Sequence, residues 1–201
     1  MKILFGLILA WSVSVGALAQ DDVVVIAKSF ADGGGYNKEW TGSGTPVDIV
    51  FDGKKILSKS TNGTYCSGFT FTVVMNAAAK RDHLKGKTVD QIRIFQKEWY
   101  GAVNSAAEKQ CVTAAKNLGV VTEITLDNAK AGDFVQFWRN NNGGHSAVFL
   151  GWDQQDGKRV GLKYRSSQGS TGGIGDSSEK IGGGTNQINI GRIYFTRLKT
   201  P

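Results

Sequence analysis

Apolar residues recur along this chain with two different periods. The run from Cys66, "CSGFTFTVVMNAAAKRDHL", opens like a strand but continues with three alanines and charged residues. An apolar stretch of this length fits a buried helix better than a strand, which places Cys66 at a helix N-terminus. Thr88 with Gln91 forms a capping box. Val89, Ile92, Phe95, Trp99 and Val103 then recur at helical steps along one face. Ser105 with Glu108 repeats the device ahead of the stripe Ala107, Cys111, Ala114 and Leu118, which Gly119 ends.

Beyond Val120 the pattern changes to that of strands. "VVTEITL", "AGDFVQFWR", "HSAVFLGWD", "KRVGLKYRSSQ" and "QINIGRIYFTRL" read as consecutive antiparallel strands, with a turn around Asp156-Gly157. A shorter strand over Val47 to Phe51 precedes a turn at Asp52-Gly53. Residues 31–46 and 169–186 are rich in Gly, Ser and Thr. The first reads as a loop or mobile arm and the second as an exposed, flexible loop. Helices followed by a meander of strands predict an α+β domain.

The N-terminus changes the compartment. Lys2, an apolar segment from Ile3 to about Val15, and Ala17, Leu18 and Ala19 ahead of Gln20 read as a secretory signal cleaved near Ala19. The apolar run is too short and too broken by Gly6, Ser12, Ser14 and Gly16 for a membrane span, so no transmembrane anchor is expected. The expected organisation is a signal peptide over residues 1–19, an N-terminal arm and first strand over 20–60, and one domain over 61–201, secreted or periplasmic and monomeric. The chain of 201 residues carries a formal charge of +7, and loss of Lys2 with the signal leaves +6. Such a surface favours anionic partners. The basic residues are scattered, with no arginine-rich block or aromatic strand motif, which argues against nucleic acid and leaves an anionic cell wall as the simpler partner.

Two residue types then suggest chemistry. A thiol attacks only as thiolate, and a helix N-terminus together with a nearby imidazolium lowers its pKa. Cys66 has the first of these. His83, in "KRDHLKGK", reads as a solvated surface residue, whereas His145 opens the strand "HSAVFLGW" just after Gly143-Gly144, where it can face a cleft on a rigid backbone. "CSGF" heading an apolar helix, then "AKAGDFVQFW", then "GHSAVFLGW", in that order and covering most of residues 60–168, resembles the NlpC/P60 and CHAP group of cell-wall cysteine peptidases and amidases. The resemblance implies a papain-like fold, Cys66 as nucleophile, His145 as its base, and peptidoglycan or another cell-wall peptide as substrate. On the bare residues, the backbone N–H groups of Cys66 and Ser67 are placed for an oxyanion hole. No cofactor is expected, and no His, Cys and carboxylate cluster has metal-ligand spacing.

The resemblance also implies a polar residue on the next strand that orients the imidazole. With Asp153 to Lys158 as the turn, His145 falls opposite Ser166. Leu162, Tyr164, Ser166 and Gln168 share a face, so Ser166 and Gln168 are both candidates, and a one-residue slip would substitute Ser167. The chain departs from the family pattern at Tyr65, where many relatives carry an acid or amide, and in its longer segment between Cys66 and Asp133. Tyr65, together with Trp138 and Trp152 flanking the histidine strand, are the candidate substrate contacts, although tryptophan in a strand also suits a core. Three alternatives stand beside the hydrolase: a Cys66–Cys111 disulfide that removes the nucleophile, a wall-binding module without turnover, and a delivered antibacterial amidase.

Overall fold

The computed structural model describes residues 15–102 and 108–200. Helix α1 (Val15–Lys28) leads into a two-residue strand, β1 (Gly33–Gly34), and a hairpin of β2 (Ile49–Phe51) and β3 (Lys54–Leu57). Helices α2 (Cys66–Lys80), α3 (Val89–Trp99) and α4 (Gln110–Leu118) follow. Strands β4 (Val121–Ile124), β5 (Phe134–Arg139), β6 (Gly144–Gln155), β7 (Lys158–Gln168), β8 (Gly173–Lys180) and β9 (Ile188–Leu198) complete the chain. This is an α+β architecture. The sheet is antiparallel throughout, in the order β1-β8-β7-β6-β5-β9-β4.

The central element is α2, buried from Gly68 to Met75 without a polar stripe. A helix apolar all round must be covered on every side. It lies among α1, α3 and one face of the sheet, and Phe69, Phe71, Val74, Phe95, Trp99, Phe134 and Val148 share its core. The hydroxyls of Thr70 and Thr72 are satisfied inside this helix, donating to the carbonyls of Cys66 and Gly68 at 2.9 Å. The opposite sheet face carries a second core made of strand residues, including Phe137, Phe149, Leu162, Tyr164 and Phe195. Ile124, Leu126, Ala129, Trp152 and Ile181 pack against it.

The capping box at Thr88 and Gln91 is present in both directions. Both expected turns are tight: Asp52-Gly53 and Asp156-Gly157 have positive φ at both residues, the type I′ geometry that suits strand twist. Val103 and the Ser105–Glu108 cap involve positions outside the described residues, and α4 begins at Gln110. Most of the expected signal segment also lies outside them. From Val15 the chain is helical, and α1 runs past Ala19. Among the described residues no helix is long and apolar enough to cross a membrane.

Two segments differ from the sequence reading. Within residues 169–186 the expected flexible loop is replaced over Gly173–Lys180 by β8, which pairs with β7 along its whole length, and an exposed turn remains over 182–186. Alternate polar side chains on an outer strand leave little hydrophobic signal, and the glycines there mask it. The glycine-rich arm over 31–46 is also ordered by bonds. Gly35 N–H donates to the Gly172 carbonyl at 2.9 Å, Asn37 N–H to Thr64 at 2.9 Å and Thr64 N–H to Gly35 at 3.0 Å. Arg165, with its side chain 5% exposed, ties α1 to the sheet by donating to the Ala27 and Phe30 carbonyls and to Asp32 and Asp176. The arm then crosses the first turn of α2. A Cβ at Gly68 would stand 2.3 Å from the Gly44 backbone, so only glycine permits that crossing.

Candidate active site

Cys66 is the first residue of α2, and the residue before it, Tyr65, is extended (φ −141, ψ 168) and supplies no side-chain cap. The N–H groups of the first turn, those of Cys66 and Ser67 among them, therefore keep their donors free of a capping side chain. Tyr65 itself is buried, and its hydroxyl donates to the Gly42 carbonyl at 2.7 Å.

His145 comes from the second residue of β6, 6% exposed. Its ring meets Phe137, its partner across the β5–β6 ladder, edge-on at 5.4 Å between centroids, and Tyr164 at 5.2 Å. Two aromatic walls hold the imidazole in one plane. Desolvation by itself raises the Cys66 pKa. The charge and hydrogen bond of His145, followed by hydrogen bonds from the backbone and side chain of Ser146, reverse this and bring the thiol down from 9.0 to about 7. Ser146 is a site residue the sequence reading missed. Its hydroxyl lies 3.1 Å from that of Thr70, to which Trp99 Nε1 donates at 3.2 Å. A serine one position past a histidine carries no sequence signal of its own.

The register of β6 and β7 corrects the expected pairing. The turn is two residues tighter than Asp153–Lys158, with Gln155 opposite Lys158. Leu150 on β6 and Val160 on β7 are each skipped by the ladder, so the two bulges cancel and Val148 faces Arg165. Continuing from there, His145 lies across from Gln168, not Ser166. The Ser166 hydroxyl donates to the Ser146 carbonyl at 2.7 Å, a structural bond. Ser167 bonds Thr64 at 2.8 Å. Gln168 Nε2 donates to Thr171 Oγ1 at 2.6 Å and to the Gly175 carbonyl at 3.2 Å. A carbonyl accepts only from the amide nitrogen, so the amide orientation is determined and Oε1 is the atom left over. Gln168 Oε1 and His145 Nε2 are both buried without a hydrogen-bond partner among the described residues. One is an acceptor and the other can carry a proton.

Cys66, His145 and Gln168 open onto a cleft of about 880 Å³. Tyr36, Trp40, Tyr65 and Tyr100 form its aromatic side, and Arg139 with Glu179 a charged side. Arg139 Nε and Nη2 each donate to Glu179 at 2.6 Å, and the Tyr164 hydroxyl donates to the same carboxylate at 2.6 Å. Burial would raise the Glu179 carboxyl, but these donors hold it below the usual range. Arg139 Nη1 also donates to the Gly143 carbonyl at 3.3 Å, which steadies the turn leading into His145.

The two tryptophans proposed as substrate contacts lie elsewhere. Trp138 lies against Gly144, its Nε1 donates to the Glu108 carbonyl at 3.0 Å, and Arg192 covers its ring at 5.2 Å. Trp152 packs on Phe149 and Phe195 at 4.9 and 5.6 Å. Neither lines the cleft: Trp138 alternates to the sheet face opposite Phe137 and His145, and Trp152 shares their face but lies seven residues along β6. Tyr36, Trp40 and Tyr100 take that place. The only advance signal for Trp40 was a large aromatic in a glycine-rich segment. His83 bonds the Lys199 carbonyl at 2.7 Å, away from the cleft. Cys66 and Cys111 are both free thiols, with no bridge between them. Among the described residues no group of histidine, cysteine and carboxylate side chains is arranged to hold a metal ion. No protein-family model and no curated protein sequence matches the chain, which leaves the site's own geometry as the ground for a functional reading.

Proposed function

We propose that the protein is an exported cysteine hydrolase with a papain-like domain of the NlpC/P60 and CHAP type, cleaving peptide or amide bonds in the stem peptides of peptidoglycan. The observation that carries the reading is a partly exposed thiol at an uncapped helix start, lowered to about 7 by an imidazole and opening onto a large cleft. A thiol at a structural site has no need of that combination.

In this reading His145 takes the Cys66 proton, and the thiolate attacks the substrate carbonyl carbon. The N–H groups of Cys66 and Ser67 hold the oxyanion of the tetrahedral intermediate. As that intermediate collapses, the C–N bond breaks and the imidazolium protonates the departing amine, leaving a thioester on Cys66. Water then attacks the thioester while His145 takes its proton, and collapse releases the acid and returns the proton to the sulfur. Gln168, across the ladder from His145, would orient the imidazole once its Oε1 closes on Nε2–H, a bond the structure itself does not make. The net positive charge of the chain suits an anionic wall polymer.

The test is digestion of purified peptidoglycan by the signal-free protein, with released fragments identified by mass spectrometry. New amine and carboxylate termini are expected from wild type, and a loss of at least ~10³-fold from Cys66→Ser. Equal digestion by the two would overturn the mechanism. Wall binding without cleavage, unchanged by Cys66→Ala, would instead identify a binding module.

A further inference from the structure

Arg139 and Glu179 come from strands that are not neighbours. In the order β8-β7-β6-β5, the two strands between them carry Tyr164 on β7 and His145 on β6. Their side chains nevertheless meet in a two-pronged ion pair at 2.6 Å, with side-chain exposures of 23 and 19%. The contact thus bridges about 14 Å of sheet, three strand spacings of ~4.8 Å, on the side that His145 shares with the cleft. The row of side chains it closes is continuous. Arg139 lies over the Phe137 ring at 5.5 Å, Phe137 and Tyr164 flank the imidazole, and the Tyr164 hydroxyl donates to Glu179 at 2.6 Å. A partly buried ion pair gains little stability over an apolar wall of the same volume, so its place beside a reactive pair points to chemistry.

We propose that the Arg139–Glu179 pair is a counter-dipole to the reacting groups, its cation favouring the Cys66 thiolate and its anion the His145 imidazolium. Both are positioning residues, acting through the field of the cleft. Their part in turnover rests on the hydrolase reading, whereas the electrostatic claim needs no substrate. Among the described residues that line the cleft, the other titratable groups are Tyr36, Tyr65, Tyr100 and Tyr164. Burial pushes Tyr65 up to about 12, and Tyr100 and Tyr164 up as well, so these three stay neutral. Cys111, within reach of Ser146, is likewise kept protonated by burial. The charged groups around the cleft wall are paired among themselves, Arg192 with Glu108 and Lys163 with Asp153. Arg139 and Glu179 are therefore the fixed charges that the dyad meets.

The direction at each end agrees with this. Burial works against the Arg139 guanidinium, but its bonds and attraction to Glu179 raise it, with smaller parts from Tyr164 and Cys66. Burial also works against the Glu179 carboxylate, but Arg139 and Tyr164 lower it, with a smaller part from His145. Each end of the pair thus senses the dyad member of opposite sign, and the attraction is mutual. Because the two ends oppose each other, removing one of them should move one member of the dyad in a direction set by its charge.

The experiment follows two titrations in the protein without substrate: thiolate absorbance for Cys66, and the imidazole C–H resonances by NMR. The chain has two histidines, and His145→Ala assigns the line. Glu179→Gln is expected to lower the imidazolium midpoint by about 0.5 or more, and Arg139→Gln to raise the thiolate midpoint by a similar amount, each roughly a 3-fold change in ionised fraction. Arg139→Lys keeps the charge while losing the two-pronged bond, and should hold the thiolate midpoint near wild type. Tyr164→Phe removes a bond to Glu179 without changing charge, and should move neither midpoint. Unchanged midpoints in both Glu179→Gln and Arg139→Gln overturn the proposal. So does a shift in Arg139→Lys as large as that in Arg139→Gln, which would make the pair merely structural. A higher KM for a digested peptide with unshifted midpoints would assign the pair to substrate and overturn it as well. If Glu179→Gln fails to fold, the two Arg139 variants decide alone. Shifts of the expected sign in a protein that digests no peptidoglycan would sustain the counter-dipole while rejecting the hydrolase, and digestion without the shifts would do the reverse.

Discussion

The starts of α2 and α4 present the same residue in nearly the same local setting. Cys66 is the first residue of one helix and Cys111 the second of the other; both are free, and both lie within reach of Ser146. Their thiols nevertheless move in opposite directions, Cys66 down to about 7 and Cys111 far up. Burial raises both. Cys111 then adds the repulsion of a Cys66 thiolate and receives only partial compensation from Ser146. Its helix N-terminus is already engaged, the Cys111 N–H donating to Gln136 Oε1 at 3.1 Å. A helix N-terminus is therefore insufficient to ionise a sulfur here, and the imidazole makes the difference.

That comparison can be broken at several points. Alkylation with iodoacetamide at pH 7 should modify Cys66 at least ~100-fold faster than Cys111, since only a thiolate reacts and Cys111 stays protonated and covered. Peptide mapping by mass spectrometry reads the ratio, and comparable labelling of both in the folded protein would erase the distinction. Removing the imidazole should erase it too. Thiolate absorbance at 240 nm should titrate with a midpoint of about 7 in wild type, and in His145→Ala shifted up toward the ordinary 9.0, because only the Ser146 hydrogen bonds then oppose burial. The sign follows: the thiolate is lost as pH falls through the folded-state value, and raising that value by two units cuts the anion at pH 7 by roughly 50-fold. A midpoint that stays near 7 would return the credit to the helix.

Smaller effects sharpen the picture. Gln168→Ala should lower kcat about 10-fold with little change in KM and shift the pH profile, with partial recovery in Gln168→Asn. Loss of activity through unfolding alone would leave the pH profile of the surviving enzyme unchanged. Cys111→Ala should leave hydrolysis at the wild-type level and cost about 1 kcal/mol in urea unfolding, the behaviour of a small buried hydrophobe.

The helix begun by Cys66, the Thr88–Gln91 cap and the strand opened by His145 could be read from the chain because each rests on local periodicity or a local hydrogen bond. β8 could not, since its pairing with β7 depends on a partner rather than on its own Gly- and Ser-rich residues. The facing of His145 and Gln168 could not either. It depends on the length of one turn and on two compensating bulges, and a slip of one residue exchanges every side chain between faces. Trp138 and Trp152 misled because a place on a strand leaves open both which face a side chain takes, as for Trp138, and how far along the sheet it lies from the cleft, as for Trp152.

Sequence alone determined which residues could be reactive, where the helices and most strands begin, and the excess of positive charge. These follow from side-chain chemistry and from contacts among near neighbours in the chain. Tertiary structure decided which cysteine is the anion, which amide stands opposite the imidazole and which aromatics face the cleft. Those outcomes depend on a few ångströms between groups far apart in sequence, across which burial and charge act together.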